Sequence, residues 1–293
     1  MGPQAAAVVN APSLVAIGHV TWDVLPGTPL NLPMKRGGGA REPGGAVAFA
    51  SATASSFGVS AAVVTSCADD YPIADIVEAP DRCIRIPSDD TSTFENRYDA
   101  RGDRVQVLHR RGGDISVGDI PEAWRSPDML FVGPLTQELP VDCLSWFRPR
   151  VSCVVPQGWL RSWTEPLPSL VEVSKSPPAG MNAGWDICVV SESEVEDRTL
   201  PRWRVLARNL VVTKGSEGAE LHLDDSDAPV VIPSFSDQVA GAGADTTGAG
   251  DVFAAAMLIR YAETGKAEES ARYASLCAGL STRAPSWSAV EVP

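Results

Sequence analysis

Apolar residues along this chain come in short unbroken blocks rather than in a helical rhythm. Leu14-Val15-Ala16-Ile17, Ala61-Ala62-Val63-Val64, Met129-Leu130-Phe131-Val132, Cys153-Val154-Val155, Ile187-Cys188-Val189-Val190 and Leu210-Val211-Val212 each fit a strand buried on both faces. Between the first two blocks, Ala46 to Phe57 is a run of small residues that stops at Gly58 and predicts a helix. Strand, loop, helix and strand in that order predict an α/β fold: a doubly wound, mostly parallel sheet with helices on both faces. Asp23 follows the first block closely, which puts it just past a strand's C-terminal end, the edge where open α/β sheets bind ligands.

Residues 82–111 change the pattern. Cys83–Ile86, Thr91–Tyr98 and Arg104–His109 alternate polar and apolar positions with no helix between them, and Asp99–Asp103 has the polar, glycine-containing composition of a hairpin turn. This predicts a small antiparallel β lid built from inserted strands around residues 20–42 and 83–112. The rest of the chain, 13–293, reads as one α/β domain, and residues 1–12 as a loose leader.

Composition narrows the partners. The 293-residue chain has a net charge of −13, which disfavours nucleic acid and anionic membrane surfaces. No uncharged apolar run approaches the roughly 20 residues needed to span a bilayer. Six cysteines are scattered with no CxxC pair, and three histidines lie far apart. That arrangement predicts free thiols in a cytoplasmic protein rather than a disulfide framework or zinc site.

The chemistry concentrates in Asp245-Thr246-Thr247-Gly248-Ala249-Gly250-Asp251, which runs into the apolar segment Val252 to Ala256. A helix start offers unpaired N–H groups and the positive end of the macrodipole, so it collects anions. Gly248 and Gly250 let the backbone approach a phosphate. An acid there is either a simple dipole complement or a base that takes a proton from an attacking hydroxyl. The second reading makes this a phosphoryl-transfer site with an alcohol as acceptor.

That seven-residue run resembles the C-terminal signature of the ribokinase-like, pfkB-type carbohydrate kinases. The resemblance implies an anion hole from the amides of Gly248, Ala249 and Gly250, with Asp251 as catalytic base. It implies acceptor binding at Asp23 and at the Gly44-Gly45 pair; Arg97, from its place on the lid, is a further substrate-contact candidate, the alternative being an ordinary surface-strand arginine. Where the family often has Asn four residues after the second glycine, this chain has Phe49. The Gly-Gly pair followed by Ala46-Val47-Ala48-Phe49, the lid run Thr91–Tyr98 and the Val132-Gly133-Pro134-Leu135 element are similar to the branch that includes plant myo-inositol kinases. Ser191-Glu192-Ser193-Glu194 stands where relatives have Asn-x-x-Glu, so Glu194 would help hold Mg²⁺ through water. Thr213, Lys214, Gly215 and Gly218 resemble the turn beside ATP. Asp245 and Thr246 correspond to a monovalent-cation (K⁺) site by resemblance alone.

The expectation is an ATP-dependent kinase for a small sugar or cyclitol, myo-inositol favoured, whose lid edges suit a homodimer. A furanose sugar or a nucleoside is the alternative acceptor. The rival of another class is a catalytically silent protein that binds sugar or nucleotide and has lost turnover.

Overall fold

The computed structural model describes residues 12–30, 41–75, 82–98, 104–235 and 246–282. A nine-stranded sheet forms its centre. From one edge to the other the strands are Val230–Ile232, Ala219–Leu223, Ala207–Thr213, Trp185–Ser191, Val151–Val154, Met129–Val132, Leu14–Ile17, Ala61–Cys67 and Cys83–Pro87. Neighbours run parallel except around Ala219–Leu223, which is antiparallel to both strands beside it. Every apolar block read from the sequence is one of these strands, and alternate residues of each block serve opposite faces. Leu14 and Ala16 pack on one face, Val15 and Ile17 on the other, all fully buried.

The two faces are covered differently. Helices Ala46–Ser56, Ala249–Thr264 and Ala267–Ser281 lie over the first. Their small residues, such as Ala50, Ala254, Ala255 and Ala274, bring helices close to each other and to the strands. The second face is closed by short helical turns and by Trp124, Trp159, Trp185 and Trp203. Bulky indoles there do the covering that long helices do on the first face.

A second, five-stranded sheet has the order Ser169–Leu170, Arg104–Arg110, Thr93–Tyr98, Thr21–Val24, Arg41–Gly44. Three of its four pairings are antiparallel, while Thr21–Val24 and Thr93–Tyr98 run parallel. Cys83–Pro87, expected among the lid strands, instead pairs parallel with Ala61–Cys67 at the edge of the central sheet. An edge strand is half exposed, so it carries the same alternation of polarity as a strand in a two-faced sheet. Ser169–Leu170, which pairs with Arg104–Arg110, comes from outside the expected ranges. The turn expected at Asp99–Asp103 lies outside the described residues.

Asp23 also differs from expectation. It sits within the strand Thr21–Val24 of the second sheet, opposite Glu42 and Phe94, not in a loop after the first strand. The chain leaves the central sheet at Gly18, whose positive φ of 148° and contact with the Gly133 carbonyl require glycine; an added Cβ would lie 2.2 Å from that oxygen. Three residues later, at Thr21, a new strand begins.

Candidate active site

Between the two sheets lies a cavity of about 700 Å³. Its walls include Thr21, Asp23, Phe94, Asn96 and Gln106 from the second sheet, and Glu194, Thr213, Gly215 and Gly218 from the C-terminal ends of central strands. The turn Thr246 to Asp251 closes one end. The helix Ala249–Thr264 begins at this turn, with Gly248 in the left-handed region (φ 78°) as its N-cap and Asp251 in its first turn. The helix Ala46–Ser56 also starts here, with Gly45 and Ala46 in the wall. Two helix N-termini therefore direct partial positive charge into the same space.

Gly44 and Gly45 shape the site more than they line it. An added Cβ on Gly44 would lie 2.6 Å from the Asp23 carboxylate, and one on Gly45 would lie 2.7 Å from the His19 carbonyl oxygen. Only glycine lets Asp23 stand over this corner while the helix starts beside it. Phe49, at the position where an Asn was the family expectation, is buried, and its ring lies directly beneath Gly248. A Cβ on Gly248 would come within 2.2–2.4 Å of three ring atoms.

Glu194 is 5% exposed and lines the cavity, while its neighbour Glu192 is exposed. It closes a one-turn helix whose N-cap is Ser191; its carboxylate accepts the Ser191 N–H at 2.8 Å. Burial pushes its carboxyl above the usual glutamate value, against the Ser191 amide, the Arg161 guanidinium and Gln157, which pull it down. A carboxylate held out of water in a cavity wall is suited to a cation. Among the described residues no three His, Cys, Asp or Glu side chains group as a metal cage.

Two expected residues are elsewhere. Arg97 has its guanidinium paired with Glu95 and half exposed, on a strand position that alternates away from the cavity-facing Phe94 and Asn96. Lys214 reaches Glu220 along the edge of the central sheet and is not in the cavity wall. Thr246 is in the wall; Asp245 lies outside the described residues.

The most informative residue missed from sequence is Arg161. It is 4% exposed, in the two-residue strand Arg161–Ser162, yet it reaches the second sheet. Its guanidinium stacks 4.7 Å from the centre of the Phe94 ring, and donates to the Leu135 carbonyl (3.1 Å) and to Gln106 Oε1 (2.9 Å). Gln106 in turn donates to Asn96 Oδ1 at 3.0 Å. This fixes a row of polar groups, Arg161, Gln106 and Asn96, along the wall that Asp23 shares. The Gln157-Gly158-Trp159-Leu160-Arg161 run held the only available signal, and no periodicity marks it.

A buried charged cluster ties the sheets together behind the cavity. Glu138 accepts the N–H groups of His19 (2.7 Å), Leu135 (3.0 Å) and Thr136 (2.7 Å). Although burial alone would raise it, His19 and these amides hold its carboxyl below the usual range. His19 Nε2 lies 2.8 Å from the Gly113 carbonyl, and Ser92 and Thr136 hydroxyls both lie 2.9 Å from Nδ1. A carbonyl only accepts, so Nε2 carries a proton. Residues 92, 113, 136 and 138 from three segments beside the second sheet meet at this histidine.

Comparison with known proteins places this architecture. Residues 186–291 match the pfkB family carbohydrate kinase model. Fructokinase-1 of Zea mays is 33% identical over 114 residues, and the chain spans only a third of its length. A pyrophosphate-dependent kinase in the ribokinase family, complexed with a pyrophosphate analogue and myo-inositol, superposes with a TM-score of 0.68 at 20% identity, over 93% of this chain and 96% of the other. Arabidopsis thaliana ribokinase with ribose and ATP gives 0.66 at 17%, over 96% of each chain. At these identities the structural likenesses establish the fold. The fold is that of the ribokinase-like kinases, and the C-terminal third of the chain matches the pfkB family carbohydrate kinase model.

Proposed function

We propose that this chain transfers a phosphoryl group from a phosphoanhydride donor to a hydroxyl of a small neutral polyol, with myo-inositol or a related cyclitol favoured. The observation that carries the reading is one cavity with two chemistries: Asp251 in the first turn of a glycine-started helix at one end, and Asp23, Asn96 and Gln106 at the other. The acceptor hydroxyl binds between them. Asp251 takes its proton as the phosphoryl group arrives, and the amides of Gly248, Ala249 and Gly250 stabilise the charge on the transferring group.

Charge in the wall argues for a neutral acceptor. Among the described lining residues Arg161 is the one cation, against Asp23, Glu194 and Asp251. A phosphorylated sugar would meet a net negative wall. The apolar faces of Phe49 and Phe94 suit the C–H face of a ring, and the amides and Asp23 suit its hydroxyls. Mg²⁺, held by Glu194 through water, would neutralise donor phosphates. ATP is the donor expected for the family. Pyrophosphate is the second reading, favoured by the fold likeness to a pyrophosphate-dependent kinase that binds myo-inositol.

The test is acceptor-dependent consumption of ATP or pyrophosphate with Mg²⁺ across myo-inositol, other cyclitols, ribose, fructose and nucleosides. Turnover with one acceptor, reduced by about 10³-fold in Asp251→Asn, is the expected result, because a positioned base contributes about 10²–10⁴-fold. Ligand binding without any donor consumption would favour the silent binding protein.

A further inference from the structure

Gln137 is the one non-glycine residue with positive φ (59°) among the described residues. Glutamine has no intrinsic preference for that region, so the conformation costs energy that something must hold in place. Its side chain is exposed, so core burial does not hold it. Its neighbours do. The Leu135 and Thr136 amides are fastened to the buried Glu138 carboxylate, which leaves Gln137 at the crown of a tight turn. The Gln137 amide nitrogen then donates to the Arg161 carbonyl oxygen, while the Leu135 carbonyl accepts from the Arg161 guanidinium. Residues 135–137 therefore grip Arg161 at both ends, main chain and side chain. Gln137 is not in the cavity wall; Arg161 is.

We propose that Gln137 is a positioning residue for Arg161, and that its strained turn sets the affinity for the acceptor rather than the rate of phosphoryl transfer. The inference rests on the kinase reading above in taking Arg161 as part of the acceptor wall. Its logic is geometric. Arg161 starts a two-residue strand and must hold a planar guanidinium between Phe94 and Gln106 of the other sheet. The carbonyl clasp by Gln137 fixes where that side chain starts.

Gln137→Gly and Gln137→Asn test it, because both residues accept positive φ and neither reaches the Arg161 carbonyl. Each should raise the acceptor KM by about tenfold, the size of one lost hydrogen bond, with kcat within about twofold. The melting temperature should hold or rise. In an Arg161→Gln background the same changes should leave KM unaltered. An unchanged KM in both single variants, or an equal rise with Arg161 replaced, overturns the inference. A wild-type chain that consumes no donor with any acceptor overturns the kinase reading instead. Calorimetric acceptor affinities then make the same comparison for a chain that binds without turnover.

Discussion

Gly248 leaves no space for a side chain, and its surroundings explain why. Its φ is 78°, and the ring of Phe49 occupies the volume a Cβ would take. Gly248→Ala should therefore cost about 1–2 kcal/mol in backbone strain and about 1–3 kcal/mol in overpacking. It should also displace the amides next to Asp251, lowering kcat by about 10²-fold or more. Phe49→Ala in the same chain should recover the packing part of the stability loss and none of the backbone part; thermal unfolding of the two single variants and the double variant measures the split. At this scale the sequence was most legible where a residue type answers a backbone demand. The glycines of the turn, Asp251 and Glu194, singled out from local order in the sequence, all line the cavity. Arg161 could not be singled out in this way, since its partners Gln106 and Leu135 are 55 and 26 positions away. Arg97 was misplaced for the converse reason: alternation puts one face of its strand in the cavity, and sequence alone does not say which.

The second sheet joins elements of different origin, and its outward-alternating positions carry their own ion pairs. Glu95 is buried there between Arg97 and His109, with His109 Nε2 at 2.7 Å. The Arg97 hydrogen bond, opposed by burial and helped by His109, holds the Glu95 carboxyl below its ordinary value. A carboxyl depressed in the folded state binds fewer protons there than in the unfolded chain. Its stabilisation is thus complete above the unfolded value of about 4.3 and is lost as pH falls through the lower folded value. Urea midpoints between pH 6 and pH 3 should fall less steeply for Glu95→Gln than for the wild type; parallel slopes would remove Glu95 from the acid limb. The strands of this sheet could be read from alternation, but their membership could not. Cys83–Pro87 alternates because it is an edge, and Ser169–Leu170 is too short to leave any pattern.

Across the whole molecule, the six cysteines report on how tightly the two faces close. All six are free, and five are buried. Burial pushes the Cys67 and Cys277 thiols up to about 12 and that of the partly buried Cys83 up to about 11. Thiolate is the reactive form, so at pH 8 the native chain should resist iodoacetamide, while all six sites label in denaturant. Rapid native labelling of more than Cys83 would mean the faces open readily. The parallel core was legible because strands buried on both sides must be apolar throughout. The asymmetry of the two faces was not, since single-turn helices and tryptophan cover leave no periodicity.

Arg161 springs from the central-sheet side of the cleft but completes a wall made by the second sheet, and this constrains how the protein can be remodelled. A graft of the second-sheet strands into a relative would carry Asp23, Asn96 and Gln106 and leave the guanidinium behind. Under the proposed function, acceptor preference is therefore not a transplantable module of contiguous sequence. A chimera that keeps this wall intact must exchange the 133–163 segment together with the strands Thr21–Val24, Thr93–Tyr98 and Arg104–Arg110, three separate stretches of the chain.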